Sequence, residues 1–274
     1  MSIKNNLLNK FNYIIIILLI YYYMNKLLHT EITGLEFNNL FNKKFYKITN
    51  ENEKHYGLQY RDGLNIDIQE FIPNDTCIGH GIYFSDLYNI ALYFDYGIYI
   101  REIEIPSDAR IFIYQNKYKT NKIIFKSRVL IKDFEYWSNY DFCTISICNN
   151  GLAIQYINNN YKTYNLIEKA IQQNSYAIEF VDEKMQDEKL CKQAILSTRN
   201  NSVFLSYIQK QTFILCKTMV LINGLSIKYV INQTTELCKY AISQNPYAVI
   251  YVKKLTKNLL DYAYSKDPYI SKFY

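Results

Sequence analysis

A cysteine and a histidine three residues apart could in principle do nucleophilic chemistry. Cys77 would supply a thiol and His80 an imidazole in the stretch CIGH. A thiol nucleophile needs a base partner, and a third group usually orients that base. The sequence offers no identifiable orienting carboxylate, and the neighbouring glycines are typical of a loop. We therefore interpret the pair as part of an ordinary loop.

Aromatic and glycine residues between positions 57 and 94 form a second candidate site. Residues 57–66 read GLQYRDGLNI, residues 79–86 read GHGIYFSD and residues 91–94 read ALYF. Together these segments resemble the catalytic core of poly(ADP-ribose) polymerases and related ADP-ribosyltransferases. The resemblance covers some 90 residues, with one good motif around Gly81.

The resemblance implies a pocket for NAD. Tyr83 and Phe94 would hold the nicotinamide between their rings, with Gly81 in the same motif. On the first strand, only Lys47 and Thr49 are offered to the adenosine ribose or the phosphates.

The resemblance also assigns groups to catalysis, and this sequence lacks them. Ala91 stands where a hydroxyl should bond the carboxamide, and residues 126–128 read KSR where a glutamate belongs. Positive charge there would oppose a cationic transition state. We therefore expect neither catalysis nor a cofactor. The alternative is an NAD-dependent ADP-ribosyltransferase or NAD-binding domain that uses the Tyr83/Phe94 pocket, with Glu102 or Glu104 as an atypical glutamate.

The elements that would position this site form an α+β pattern. Alternating or continuous apolar residues predict strands over Phe45–Thr49, Gly97–Ile105, Ala109–Tyr114 and Ile123–Ile131. One helix is predicted over Asp86–Phe94. The fold class is thus a small mixed α/β, ADP-ribosyltransferase-like domain at 41–133, followed by helices.

Residues 134–274 are predicted to be an all-α helical repeat array. Segments such as GLAIQYI, SYAIEFV and PYAVIYV begin at 151, 175, 202, 224, 246 and 268, at spacings of 22 to 27 residues. Asn or Asp precedes each segment and would cap a short helix. A second helix follows each of the first five segments, with Leu and, four positions later, Ala or Met. Such helix pairs bury a core only by stacking on their neighbours, as solenoids do.

The register of the array suggests the role of four cysteines. Cys143, Cys191, Cys216 and Cys238 all follow the same repeat position, which predicts packing residues and a reducing compartment. The array resembles short helical repeats of unassigned function that are abundant in giant viruses of amoebae. Solenoids present binding surfaces, so we expect an unknown protein partner to bind the repeats.

An apolar segment opens the chain. Residues 13–24 read YIIIILLIYYYM, and a hydrophobic helix spanning Tyr13, Ile14, Leu18 and Tyr23 could anchor the protein in a membrane. A cleaved signal peptide or a buried core element are the alternatives. The expected layout is an anchor at 1–29 and a linker at 30–40. The chain is therefore expected to cross a host-cell membrane or a virion membrane once. The sequence does not decide on which side of that membrane the bulk of the chain lies.

Composition sets the outer bounds. The chain has 274 residues, of which 49% are hydrophobic and 20% charged, so it can bury a core. The net charge of +6 is modest for a nucleic-acid-binding protein. A basic stretch from Lys117 to Lys132 is most simply a solvated strand face, so nucleic acid is not an expected partner. These features favour a membrane-anchored viral interaction protein without enzymatic activity.

Overall fold

The computed structural model describes residues 26–74, 80–198 and 200–273. The chain divides into an N-terminal unit, Met1–Phe134, and a C-terminal unit, Glu135–Tyr274. The N-terminal unit mixes strands with short helices, and the described C-terminal unit is helical. The predicted α+β class with a helical C-terminal region is therefore confirmed.

The N-terminal unit is built on an eight-stranded sheet. The strands of this unit are β1 (Glu31–Thr33), β2 (Phe45–Thr49), β3 (Lys54–His55), β4 (Leu58–Gln59), β5 (Gly63–Ile66), β6 (Ile82–Asp86), β7 (Tyr99–Glu104), β8 (Arg110–Ile113), β9 (Tyr118–Thr120) and β10 (Lys122–Leu130). Strands β3 and β4 pair with each other as a separate hairpin, and the other eight form the sheet. The order in the sheet is β1-β8-β9-β6-β2-β7-β10-β5. All neighbouring strands in it run antiparallel.

An aromatic core holds a short helix against this sheet. Helix α1 (Gly34–Leu40) begins at Thr33, whose side chain accepts a hydrogen bond from the backbone N–H of Glu36. Phe37 on α1 is fully buried, and its ring lies 4.9 Å from that of Phe45 and 5.7 Å from that of Phe84. The core therefore ties β2 and β6, the two strands that form the candidate site, to one helix.

The helix predicted over Asp86–Phe94 is present from Ile90 onward, and its predicted start is wrong. Asp86 is the last residue of β6 and lies opposite Phe45 on β2, so it belongs to the strand and not to the helix. Its carboxylate contacts Lys43 Nζ at 2.6 Å and accepts a hydrogen bond from the backbone N–H of Asn89. A tighter 3₁₀ helix follows, over Ile90–Tyr96.

The predicted single-pass membrane localisation needs correction. Across the described ranges, none of the helices combines the length and the apolar character needed to cross a bilayer. The residues on which the anchor was predicted, Tyr13, Ile14, Leu18 and Tyr23, lie outside the described residues.

The C-terminal unit alternates α-helices with 3₁₀ helices. The α-helices are α2 (Tyr140–Asn149), α3 (Tyr164–Gln173), α4 (Glu188–Leu196), α5 (Phe213–Ile222), α6 (Thr235–Gln244) and α7 (Lys257–Lys266). The 3₁₀ helices that follow them are Gly151–Tyr156, Ser175–Phe180, Ser202–Tyr207, Gly224–Tyr229, Pro246–Tyr251 and Pro268–Lys272. Each of these 3₁₀ helices begins at an Asn or Asp whose side chain accepts a backbone N–H.

The register-equivalent cysteines lie inside this packing. Cys143, Cys191, Cys216 and Cys238 are free thiols and at most 3% exposed. Burial raises the pKa of Cys191 to about 11, which leaves its thiol protonated and unreactive at neutral pH. The prediction that these four residues pack as small hydrophobes is confirmed.

The side chain of a buried glutamine forms hydrogen bonds that link consecutive repeats. Gln186, 3% exposed, donates its side-chain N–H groups to the carbonyls of Ile178 and Val181, both at 3.1 Å. Its carbonyl oxygen accepts the backbone N–H of Gln209 in the next repeat at 3.0 Å. The same position, immediately before the helix cap, is Gln211 and Gln233 in the following repeats, and both bond backbone groups of their next repeat.

Candidate functional site

The N-terminal unit contains a pocket of about 190 Å³ between β2, β6 and the 3₁₀ helix Ile90–Tyr96. Aromatic rings dominate its wall: Tyr46, Tyr56, Tyr60, Tyr83, Phe84, Tyr93 and Tyr96. The charged or ionisable side chains on the wall are Lys47, Lys54, His55 and Lys117. No aspartate or glutamate is among the described residues that line the pocket, so its polar groups favour an anionic occupant.

Lys47 is the buried cation of this pocket. It lies in the middle of β2, is 6% exposed, and donates a hydrogen bond from Nζ to the backbone carbonyl of Tyr83 at 2.8 Å. The same Nζ lies 5.3 Å from the centre of the Tyr60 ring. Within the described ranges no carboxylate pairs with it. Burial therefore lowers the pKa of Lys47 to about 7.

His55 is a second titratable group that the pocket holds neutral. It lies on β3, and burial together with the Lys47 charge lowers the pKa of its imidazole to about 4. At neutral pH the pocket thus carries an imidazole free of charge beside an amine that is about half protonated.

These two shifts predict that the N-terminal unit becomes more stable as the pH rises. Lys47 binds a proton in the unfolded chain, but not in the folded one, between pH about 7 and the ordinary lysine pKa of about 10.4. His55 acts in the same direction between pH about 4 and about 6.5. We expect the free energy of unfolding to rise between pH 7 and pH 9 by up to about 1 kcal/mol per pH unit.

The Lys47 contribution can be isolated by urea titration at a series of pH values. Lys47→Met should flatten the rise above pH 7, whereas Lys54→Met, which removes an exposed lysine of the same pocket, should leave it unchanged. An equal slope in wild type and Lys47→Met would show that the amine titrates normally in the folded protein.

The residues that the resemblance assigned to NAD do not all meet at this pocket. Tyr83 and Lys47 line it. Phe94 is 4% exposed and is not one of the described wall residues. Gly81 has a φ of +151°, and a Cβ there would lie 2.4 Å from Lys119 Cγ, so its requirement is packing against a buried lysine.

The remaining candidates have structural surroundings. Glu102 contacts Lys126 Nζ at 2.5 Å and Lys44 Nζ at 2.9 Å, and Glu104 contacts Lys126 at 3.4 Å. Neither glutamate is on the described wall of the pocket. His80 Nδ1 lies 3.0 Å from the Glu70 carbonyl, while Cys77 falls outside the described residues.

A buried ion pair next to the pocket, between Arg101 and Glu53, is not predicted by any sequence pattern. Arg101 on β7 is 2% exposed, and its guanidinium contacts both carboxylate oxygens of Glu53 at 2.8 and 2.5 Å. Thr49, a wall residue, donates its hydroxyl to Glu53 at 2.8 Å. Glu53 adopts a positive φ of 50° in the loop between β2 and β3. A left-handed backbone is uncommon for a residue other than glycine, and it distinguishes Glu53 in the structure.

The C-terminal unit presents a different kind of candidate site, an apolar patch on its helices. We call Leu196, Phe213, Ile214 and Leu221 the α4–α5 patch; they are 62%, 40%, 51% and 50% exposed. Leu196 and Leu221 occupy the ninth position of α4 and α5. Ile214 lies seven residues before Leu221, so these two side chains share one helix face.

Neighbouring helices are polar at the positions equivalent to Ile214 and Leu221, whereas Tyr164 on α3 is the equivalent of Phe213. The positions equivalent to Ile214 are Asn165 on α3 and Glu236 on α6, and those equivalent to Leu221 are Gln172 and Ser243. Repeat packing dictates the buried positions and leaves the outer ones unconstrained. An apolar patch confined to two outer helix faces therefore needs another explanation, and protein binding is the usual one.

Comparison with known proteins finds similarity to viral proteins. The family model described as "Domain of unknown function (DUF4116)" matches residues 139–186, the stretch from the cap of α2 to the buried Gln186. "Putative ankyrin repeat protein R868" of Acanthamoeba polyphaga mimivirus is 34% identical over 112 residues, 38% of this chain and 56% of that protein. "Uncharacterized protein R869" of the same virus is 38% identical over 111 residues, 38% of this chain and 80% of that protein.

The matched length limits which properties of the relatives can be expected of this chain. This chain spans about half the length of the first relative, at 56%. The repeats here recur every 22 to 27 residues, shorter than the ankyrin unit of about 33 residues. No solved structure matches the chain.

Proposed function

Because the chain belongs to the family of "Uncharacterized protein R869" of Acanthamoeba polyphaga mimivirus, we propose that it is a viral protein-interaction protein that binds a protein partner through its helical repeats. The observation that carries the proposal is the α4–α5 patch. It exposes four large apolar side chains on an array whose equivalent outer positions are otherwise mostly polar. The ankyrin-repeat names of several relatives fit this role, since repeat arrays commonly serve as binding surfaces.

Paired variants test whether the patch binds a partner. Ile214→Glu with Leu221→Glu places two carboxylates in the patch, and Asn165→Glu with Gln172→Glu makes the same change at equivalent positions of α3. All these positions are outward-facing, so both variants should keep the wild-type helical circular dichroism. In crosslinking pull-downs from infected Acanthamoeba polyphaga cells, the α3 variant should retain the proteins captured by wild type.

The patch variant should lose one or more of those proteins. A captured set identical for wild type and both variants would refute the patch as the binding surface. Capture of no protein by wild type would count against the interaction function itself.

A second candidate function is NAD binding in the N-terminal unit. Two residues that the ADP-ribosyltransferase resemblance assigned to NAD, Tyr83 and Lys47, line one pocket, and this observation favours the candidate. Phe94 is not part of the described wall, so the aromatic neighbours of Tyr83 would have to come from Tyr60, Tyr93 or Tyr96.

Calorimetric titration with NAD and with nicotinamide tests this candidate. Binding should be lost in Tyr83→Ala and kept in Tyr88→Ala, which changes a 57% exposed tyrosine outside the described wall. Absence of binding at millimolar ligand, or equal binding by the two variants, would eliminate it.

A further inference from the structure

The position of Lys47 suggests chemistry that neither protein binding nor NAD binding requires. A buried lysine is ordinarily stabilised by a carboxylate, because an unpaired ammonium in an apolar site is costly. Among the described residues Lys47 has instead one carbonyl acceptor, Tyr83, and the face of Tyr60. Those contacts hold the amine in place on the wall of the pocket, where Lys47 is 6% exposed.

An amine in that position is a better nucleophile than the surface lysines. At pH 7 an amine with a pKa near 7 is roughly half neutral, whereas an ordinary lysine is neutral in roughly one molecule in 2,500. Only the neutral amine has a lone pair to attack a carbonyl carbon, and desolvated lysines are used in this way to form imines.

The wall of the pocket defines the class of carbonyl compound that would fit. Seven tyrosine and phenylalanine side chains on the wall favour a planar ring. Lys54 and Lys117 add positive charge at the wall, and Lys117 Nζ lies 4.8 Å from the centre of the Tyr83 ring. An occupant with an acidic group would meet these cations and, on the described wall, no opposing carboxylate.

We propose that Lys47 Nζ forms a reversible imine with a small aromatic aldehyde that carries an acidic group, bound in this pocket. The nitrogen attacks the aldehyde carbon to give a carbinolamine, and the aldehyde oxygen then leaves as water with the two protons that the neutral amine loses, so that a C=N bond replaces the C=O bond. No oxidant or reductant takes part. The aldehyde supplies the carbon and the lysine the nitrogen, and hydrolysis by water reverses the step.

Pyridoxal 5′-phosphate is a suitable probe because it combines an aldehyde, a planar ring and a phosphate. The full-length protein is incubated with the probe at pH 7, reduced with borohydride, digested and mapped by mass spectrometry. We expect at least about tenfold more adduct at Lys47 than at Lys44, whose side chain is 53% exposed and pairs with Glu102 at 2.9 Å. With pyridoxal, which lacks the phosphate, the ratio of Lys47 adduct to Lys44 adduct should fall at least about tenfold, since the charge that the wall lysines would bind is missing. The ratio is compared because the free hydroxyl of pyridoxal closes on its own aldehyde and lowers labelling at every lysine.

Variants separate a specific site from general lysine labelling. Lys47→Arg and Lys47→Met should both lose the dominant adduct, and Lys119→Arg, which changes a fully buried lysine outside the described wall, should keep it. The site map of the wild-type protein decides the question even if a Lys47 variant fails to fold. Adducts spread evenly over the exposed lysines, or labelling of Lys47 that is indifferent to the phosphate, would overturn the proposal.

Discussion

Replacing Arg101 with Met is expected to lower the free energy of unfolding of the N-terminal unit by about 3–5 kcal/mol. Arg101 and Glu53 are 2% and 6% exposed, and the substitution leaves the Glu53 carboxylate buried without its bidentate partner. Burial alone would raise the pKa of Glu53, but hydrogen bonds from Arg101 and Thr49 hold it below its ordinary value. Removing Arg101 removes the larger part of that compensation.

The protein supplies a matched control for this prediction. Arg110 also forms a two-point contact with a glutamate, Glu31, at 2.5 and 3.0 Å, but their side chains are 49% and 31% exposed. Arg110→Met should therefore cost less than about 1 kcal/mol. Urea titration monitored by tyrosine fluorescence would measure both losses. Similar losses for the two variants would show that burial of the Arg101 pair contributes nothing beyond an ordinary surface contact.

The consequences of such a loss should reach the candidate pocket. Thr49 lies on the pocket wall and donates to Glu53, while Lys47 lies two residues earlier on the same strand. β2 also pairs directly with β7, where Lys47 lies opposite Arg101. The ion pair thus holds the strand that carries the buried amine, and we expect Arg101→Met to reduce labelling of Lys47 as well.

The sequence predicted best what depends on neighbours along the chain. Strand β2 was recognisable from FYKIT alone, and the repeat register located the caps, the buried cysteines and the helix faces. Both are patterns with a short period, which hydrophobicity and capping residues reveal directly.

Contacts between segments far apart in the chain cannot be predicted from such short-period patterns. Arg101 and Glu53 are 48 residues apart, and neither is apolar, so no periodicity marks their pairing. Asp86 was assigned to a helix because a capping residue and a strand end look alike in sequence, and pairing with β2 decided between them. Tyr83 and Phe94 are paired by a family resemblance rather than by a periodic pattern, and Phe94, in the 3₁₀ helix Ile90–Tyr96, is 4% exposed and outside the described pocket wall.

Within the repeat array, Gln186→Leu is expected to lower the free energy of unfolding by about 2–4 kcal/mol. Leucine has nearly the volume of glutamine, so the cost comes from hydrogen bonds rather than from a cavity. The substitution removes the side-chain donor to the carbonyls of Ile178 and Val181 and the acceptor of the Gln209 N–H, and of these groups the Ile178 carbonyl keeps the N–H of Val181. Buried backbone groups without partners are expensive, because water cannot replace the lost bond.

The position of Gln186 makes its loss a test of how the repeats cooperate. Its bond to Gln209 joins one repeat to the next, so the variant should weaken an interface as well as a repeat. Gln209→Leu changes an exposed side chain and keeps the backbone N–H, and it should cost less than about 0.5 kcal/mol. Hydrogen exchange should show faster opening on both sides of the Gln186 junction, in α4 and in α5. Faster exchange confined to α4 would mean that the glutamine stabilises its own repeat and that the hydrophobic contacts alone couple the array.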